Sequence, residues 1–316
     1  MDAPLAECTT EHGTRTFYGS GVVVGADGGV LGEFGDPTRE IFIRSAAKPL
    51  RSLVLLEHGA ISASDPEAIA LTCGSHDGAT QHLTALRSFA ARYDVDVKRL
   101  RCSVRRPLRL DGVHASRRRP GARWTRLQNE CSGEHLGALR LAAYLGADAQ
   151  DYLGFDNPAQ ILYRTNLTSL FDGIPSTARS TARDHCGMPA FRTSLIRLAR
   201  AYATLAEPGS FDGSAAAINE AIFRHSLLYS GRSQYVHDLI GNSRGTVLAK
   251  GGSGGLYVVW WPSLGVGASI VASKGFHGAA AAALPALARR AGMDFPEPPP
   301  PYRLSDDSPM AYRSLL

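Results

Sequence analysis

Ser45 and Lys48 stand three residues apart in "FIRSAAKPL", residues 42 to 50. A serine hydroxyl becomes a nucleophile when a neighbouring base takes its proton, and an amine serves as that base only when it is neutral. Burial beside another cation brings a lysine to that state, whereas a guanidinium stays protonated. Of the 34 Lys and Arg residues only Lys48, Lys98, Lys250 and Lys274 are lysines, so amine chemistry has few places to occur. At a helical i, i+3 spacing Lys48 falls on the same face as Ser45, one turn later and within reach of its hydroxyl. The bland reading of Ser45 is a plain helix N-cap, and the tetrad alone does not decide between the two. A second hydroxyl and a second amine occur in "LTCGSHDG" (Ser75) and "LAKGGSGG" (Lys250). Ser75 also reads as a polar loop residue capping the next helix. The glycines after Lys250 are not a phosphate loop, because they lead into a strand rather than a helix.

The elements that must position these groups follow from the hydrophobic periodicity. Extended segments are expected at 17–24, 30–34 and 41–43, separated by glycine turns. After Ser45 the positions Leu50, Leu53 and Val54 fall on one helical face, Pro49 sits in the first turn where its missing N–H costs little, and Gly59 ends the helix. Further helices are expected over 64–72, 80–92, 132–146, 158–172, 189–206 and 214–229, then strands at 246–250, 256–261 and 266–272 and an alanine-rich helix over 277–291. The economical arrangement is α/β (α+β): one domain over 1–316, with an antiparallel sheet from about 1–44 and 245–292 and a helical region over 45–244 between them. The proline-rich stretch at 295–316 reads as an extended arm. This order brings Ser45, after the last early strand, and Lys250, on a late strand, toward one cleft at the sheet edge.

Composition limits the function classes. At 316 residues and 44% hydrophobic, the chain supports a substantial core. No window holds the roughly 20 apolar residues of a membrane helix, and "MDAPLAECTTEHG" lacks the features of a secretory signal, so a soluble cytoplasmic protein is expected. Five scattered cysteines in such a chain point to reduced thiols rather than disulfides. Eleven Lys or Arg and one acid lie between Lys98 and Arg126, a local charge of +10 against +5 for the whole chain. No aromatic interleaving or nucleic-acid motif accompanies this patch, which reads as a solvated arginine-rich loop and gives no reason to expect a nucleic-acid partner.

Five blocks, "FIRSAAKPL", "LTCGSHDG", "CSGEHLGAL" (131–139), "DHCGMPAF" (184–191) and "LAKGGSGGLYVV", occur in an order and spacing that resembles the asparaginase II family, the thermolabile rhizobial-type L-asparaginases. The resemblance covers most of residues 17–290. It implies a fold like that of serine β-lactamases and penicillin-binding proteins, where an S-x-x-K on a helix, a second serine and a K-[ST]-G on a strand meet; here Gly251 lacks the hydroxyl of the third motif. It implies hydrolysis of the side-chain amide of asparagine to aspartate and ammonia, by a homodimer. The site it implies consists of two Ser-Lys pairs, Ser45 with Lys48 and Ser75 with Lys250, with Ser45 the nucleophile, Lys48 its base and the second pair tuning and relaying the proton.

Members of that family hold zinc through two cysteines and a lysine. Cys131 and Cys186 match the cysteines, but the lysine position carries Glu134. A Cys131, Glu134, Cys186 set with water in the fourth place would still suit zinc. The other outcome is loss of the metal, leaving two thiols and a glutamate. Asparagine is a zwitterion, so its pocket needs a cation for the α-carboxylate and an anion for the α-ammonium. Arg44 suits the first and Asp184 the second, with His76 and His135 as hydrogen-bonding partners; each is otherwise an ordinary ion pair or satisfied polar group. Three functions stay open: an asparaginase-type amidohydrolase, a homologue recruited to another amide, ester or acyl-transfer reaction, and a silent amino-acid-binding protein.

Overall fold

The computed structural model describes residues 1–10, 13–107, 124–173, 181–232, 235–296 and 312–316. Their strands are β1 (Ala3–Thr10), β2 (Gly13–Gly25), β3 (Val30–Phe34), β4 (Glu40–Phe42), β5 (Thr181–Arg183), β6 (Pro189–Ser194), β7 (Leu248–Gly252), β8 (Leu256–Trp261), β9 (Val266–Ala272) and β10 (Tyr312–Ser314). Seven of them build one antiparallel sheet in the order β10-β1-β2-β9-β8-β7, with β3 also paired to β2. The two ends of the chain therefore meet in one sheet, with β2 hydrogen-bonded to β9 across Gly19 to Gly25.

Every residue of β8 and β9 is buried, the pattern of strands covered on both faces. One face is covered by the helix Leu195–Ala206 and the other by the helix His277–Arg290. Glycines permit the close approach on each side. A Cβ at Gly267 would lie 2.2 Å from the Ala199 carbonyl oxygen, and one at Gly21 would lie 2.6 Å from the Phe34 ring and 3.0 Å from Leu287.

The helices in chain order are α1 (Lys48–Glu57), α2 (Pro66–Cys73), α3 (Thr80–Arg92), α4 (Ser132–Tyr144), α5 (Pro158–Leu170), α6 (Leu195–Ala206), α7 (Ser214–Arg224), α8 (Ser226–Ser230), α9 (Tyr235–Asn242) and α10 (His277–Arg290). Helix α2 lies at the centre of the helical layer, against α1, α4, α7 and α8. Its sequence PEAIALTC is apolar almost all round, and every residue from Ala68 to Cys73 is buried. Pro66 and the Asp65 side chain, which accepts from the Ala68 N–H at 3.2 Å, start it.

The architecture is the sheet of two chain ends and helical middle expected above, with four local differences. Strand β1 lies outside the anticipated segments; APLAECTT has little β-branched character and is held by pairing on both sides, to β2 and β10. Residues 189–194, expected at the start of a helix, form β6, and the helix begins at Leu195 where the Ser194 hydroxyl accepts from the Arg197 N–H. A short apolar run fits a strand or a buried helix equally well by periodicity alone. The segment at 41–43 belongs to a separate small sheet, β4-β6-β5, rather than to the main one. The helix expected over 214–229 is interrupted at His225 and gives α7 and α8. Of the arm, 297–311 lies outside the described residues, and Tyr312–Ser314 returns to the sheet as β10. Most of the arginine-rich segment, 108–123, is also outside them.

Candidate active site

Edge strand β7 leaves one side of its backbone facing the helical layer, and there it meets the 3₁₀ turn Arg44–Ala47 that leads into α1. Between them opens a cavity of about 200 Å³, lined among others by Ser45, Ser75, Glu130, Gly252, Tyr257 and His277. Its size suits a small ligand. Ser45 occupies the turn itself, one residue after Arg44, whose φ of 41° is a left-handed conformation that costs a non-glycine residue energy. The Ile43 N–H, bonded to the Phe191 carbonyl at 3.0 Å, anchors the chain just before it.

Ser75 lies in the segment between α2 and α3. Its Oγ is 2.9 Å from the Lys48 Nζ and 2.9 Å from the Lys250 Nζ. Lys48, in the first turn of α1, also donates to the Gly74 carbonyl at 2.8 Å, and Lys250, on β7, donates to the Gly251 carbonyl at 2.7 Å. The expected pairing thus differs in one respect: Lys48 is hydrogen-bonded to Ser75 rather than to Ser45, because α1 begins only at Lys48 and the turn before it has 3₁₀ geometry. Both lysines bond to one hydroxyl, and Ser45 opens on the same cavity.

The two lysines differ in what surrounds them. Burial alone disfavours the charge of Lys48, but the negative groups of Cys131 and Glu134 outweigh it and hold its pKa above the ordinary lysine value. Burial and the adjacent charge of Lys48 bring Lys250 down to about 7. The role of base that the resemblance implies for Lys48 is therefore better suited to Lys250, whose surroundings favour the neutral amine, while those of Lys48 favour the ammonium.

Behind Lys48 lies a compact buried cluster. The ligand atoms of Cys131, Glu134 and Cys186 are within 4.8 Å of one another. Arg51, one turn along α1 from Lys48, pairs with the Glu134 Oε1 and with the Pro189 carbonyl, and the Glu134 Oε2 is 3.7 Å from the Lys48 Nζ. A hydrogen bond between the two sulfurs lowers the pKa of Cys131 and raises that of Cys186. Two sulfurs and a carboxylate at these separations fit the donor set of a tetrahedral zinc site with one open position. Gly133 brings this cluster to the serine, since a Cβ there would lie 2.2 Å from the Leu71 carbonyl oxygen of α2.

The segment carrying Ser75 is fixed by groups that the spacing of residues does not reveal. Asp77 is fully buried, faces the His82 Nδ1 at 3.0 Å and accepts from the N–H groups of Ala79 and Arg232. The His82 Nε2 donates to the Leu227 carbonyl at 2.8 Å. The four expected substrate ligands do not line the cavity. His76 accepts from the Gly78 N–H at Nδ1, so its Nε2 carries the proton toward the Ser132 hydroxyl at 2.9 Å; burial holds its pKa well below the usual value. His135 bonds to the Tyr152 hydroxyl at 2.6 Å, and burial, Lys48 and Arg51 bring it down to about 3. Asp184 accepts from the His185 N–H, and Arg44 sits beside the cavity without lining it. His76 and His135 each have an internal hydrogen-bond partner in the buried interior. Arg51 was legible in principle, three residues after Lys48 on the same helical face.

A mixed α/β protein with two buried lysines on one cavity serine defines the class. The chain belongs to the L-asparaginase II family, whose model matches residues 14–310. That family is named for amide hydrolysis. Among solved structures, the chain is similar to a β-lactamase from Mycobacterium bovis at 13% identity, over 87% of this chain and 92% of that one, with a TM-score of 0.38. A likeness this loose says nothing of the chemistry here. Comparison with curated proteins finds no match. Among the described residues, no helix is long and apolar enough to cross a membrane.

Proposed function

We propose that the protein hydrolyses the side-chain amide of asparagine or a related small amide through an acyl intermediate on Ser45. The observation that carries this reading is the Ser75 Oγ held 2.9 Å from two lysine nitrogens, on the cavity that Ser45 also lines. Lys250, neutral near pH 7, takes the Ser75 proton; Ser75 in turn takes that of Ser45 as it attacks the amide carbon, and the Lys48 ammonium steadies the negative charge left between them. Return of the proton along the same path to the departing nitrogen releases ammonia, and water then attacks the ester by the same relay.

Cys131, Glu134 and Cys186 would hold a zinc ion, which when bound would supply a Lewis acid. A homodimer is the assembly that the family resemblance suggests, and light scattering tests it. Ammonia release from asparagine, glutamine and small aliphatic amides, together with elemental analysis of the same sample, tests the reading. Turnover of at least one amide that falls by about a thousandfold or more in Ser45→Ala supports it. Stabilisation by asparagine without any turnover would favour the silent binding protein instead.

A further inference from the structure

Glu130 is a charged cavity wall that the proton relay does not use. Its backbone carbonyl accepts the His76 N–H at 3.2 Å, which fastens it beside Ser75. Its side chain is 25% exposed, while Lys48 and Lys250, hydrogen-bonded to the Ser75 hydroxyl on the cavity wall, are 0% and 3% exposed. Arg105, which does not line the cavity, pairs with the Glu130 Oε1. No other charged side chain among the described residues lines this space, and His277, on the cavity wall, is kept toward its neutral form by burial and by Lys250.

We propose that Glu130 determines specificity by accepting the ammonium group of the substrate, which makes the preferred substrate a small amide bearing a cationic amino group. This rests on the amidohydrolase reading. A single carboxylate on the wall of a cavity that Ser45 and Ser75 also line orients such a molecule in one sense: the ammonium meets Glu130, which leaves the carbonyl to be attacked for Ser45. The role given to Asp184 in the expected pocket thereby passes to Glu130, which Arg105 holds in place.

The test compares L-asparagine with succinamate, the same amide without the amino group. In wild-type protein kcat/KM for asparagine exceeds that for succinamate at least tenfold. Glu130→Gln lowers kcat/KM for asparagine about tenfold or more, chiefly through KM, and leaves succinamate within about twofold. Calorimetric titration of the Ser45→Ala protein, with and without Glu130→Gln, reads the same preference without turnover. Equal binding of the two amides, no binding of asparagine, or an equal loss for both in Glu130→Gln overturns the inference. Absence of ammonia release from either amide by the wild type counts against the amidohydrolase reading, while an asparagine preference in the titration would still support Glu130.

Discussion

A lysine buried beside a second lysine gives up its proton more readily than one buried beside anions, and positions 250 and 48 are the two cases. Because Lys250 must be neutral to act, kcat/KM is expected to rise with pH through about 7 and level off above it, as this amine loses its proton. Lys250→Arg puts a permanent cation in place of the base, so it should be as inactive as Lys250→Met. Arg51 and Glu134 are a buried pair with side chains 4% and 5% exposed. Removing one partner strands the other, so Arg51→Met should lower the unfolding free energy by about 3 kcal/mol in urea titrations of metal-free protein, and adding Glu134→Gln should recover part of it. A fall as large in the double variant would contradict the pairing.

At the scale of elements, the site is a junction of α1, α2, α4 and β7, and glycine is what lets α4 reach α2. Gly133→Ala would press a methyl group against the Leu71 carbonyl, which should cost about 1–3 kcal/mol and reduce activity together with stability. Unchanged melting of that variant would show that the helices separate at little cost. Much of this junction is legible in the sequence. The i, i+3 spacing of Ser45, Lys48 and Arg51 and the strand ending at Lys250 place those groups, because helix and strand periods are local. The pairing of Lys48 with Ser75 is not legible, since it depends on where α1 begins. The Asp77–His82 contact is not legible either: its partners, Leu227 and Arg232, come from a distant part of the chain. Position alone could suggest Arg44 and Asp184 as substrate ligands, but the direction of a side chain on a turn is set by the fold.

Across the whole molecule, the sheet is closed by pairing the first strand with the last. Tyr312 on β10 packs edge-on against Phe17, with ring centroids 5.4 Å apart, and lies where a Cβ on Gly278 would meet its ring. Tyr312→Ala should cost about 1–2 kcal/mol, or about 2–6 °C in Tm, while leaving kcat unchanged because the cavity is built from the opposite edge, β7. Loss of activity without loss of stability would contradict that separation. The union of the two chain ends was legible as strand periodicity at both, whereas β1 and β10 were not, because each is held by its neighbours more than by its own residues.

The claim on which the mechanism turns is that Lys250, through Ser75, activates Ser45. The most direct measurement is the rate at which a fluorophosphonate labels the protein as a function of pH, with the modified residue identified by mass spectrometry, in wild type and Lys250→Met. The account predicts labelling at Ser45, a rate that climbs through about pH 7, and labelling slower by about a hundredfold or more in the variant. Labelling at another residue, or at the same rate and with the same pH dependence in Lys250→Met, would contradict it.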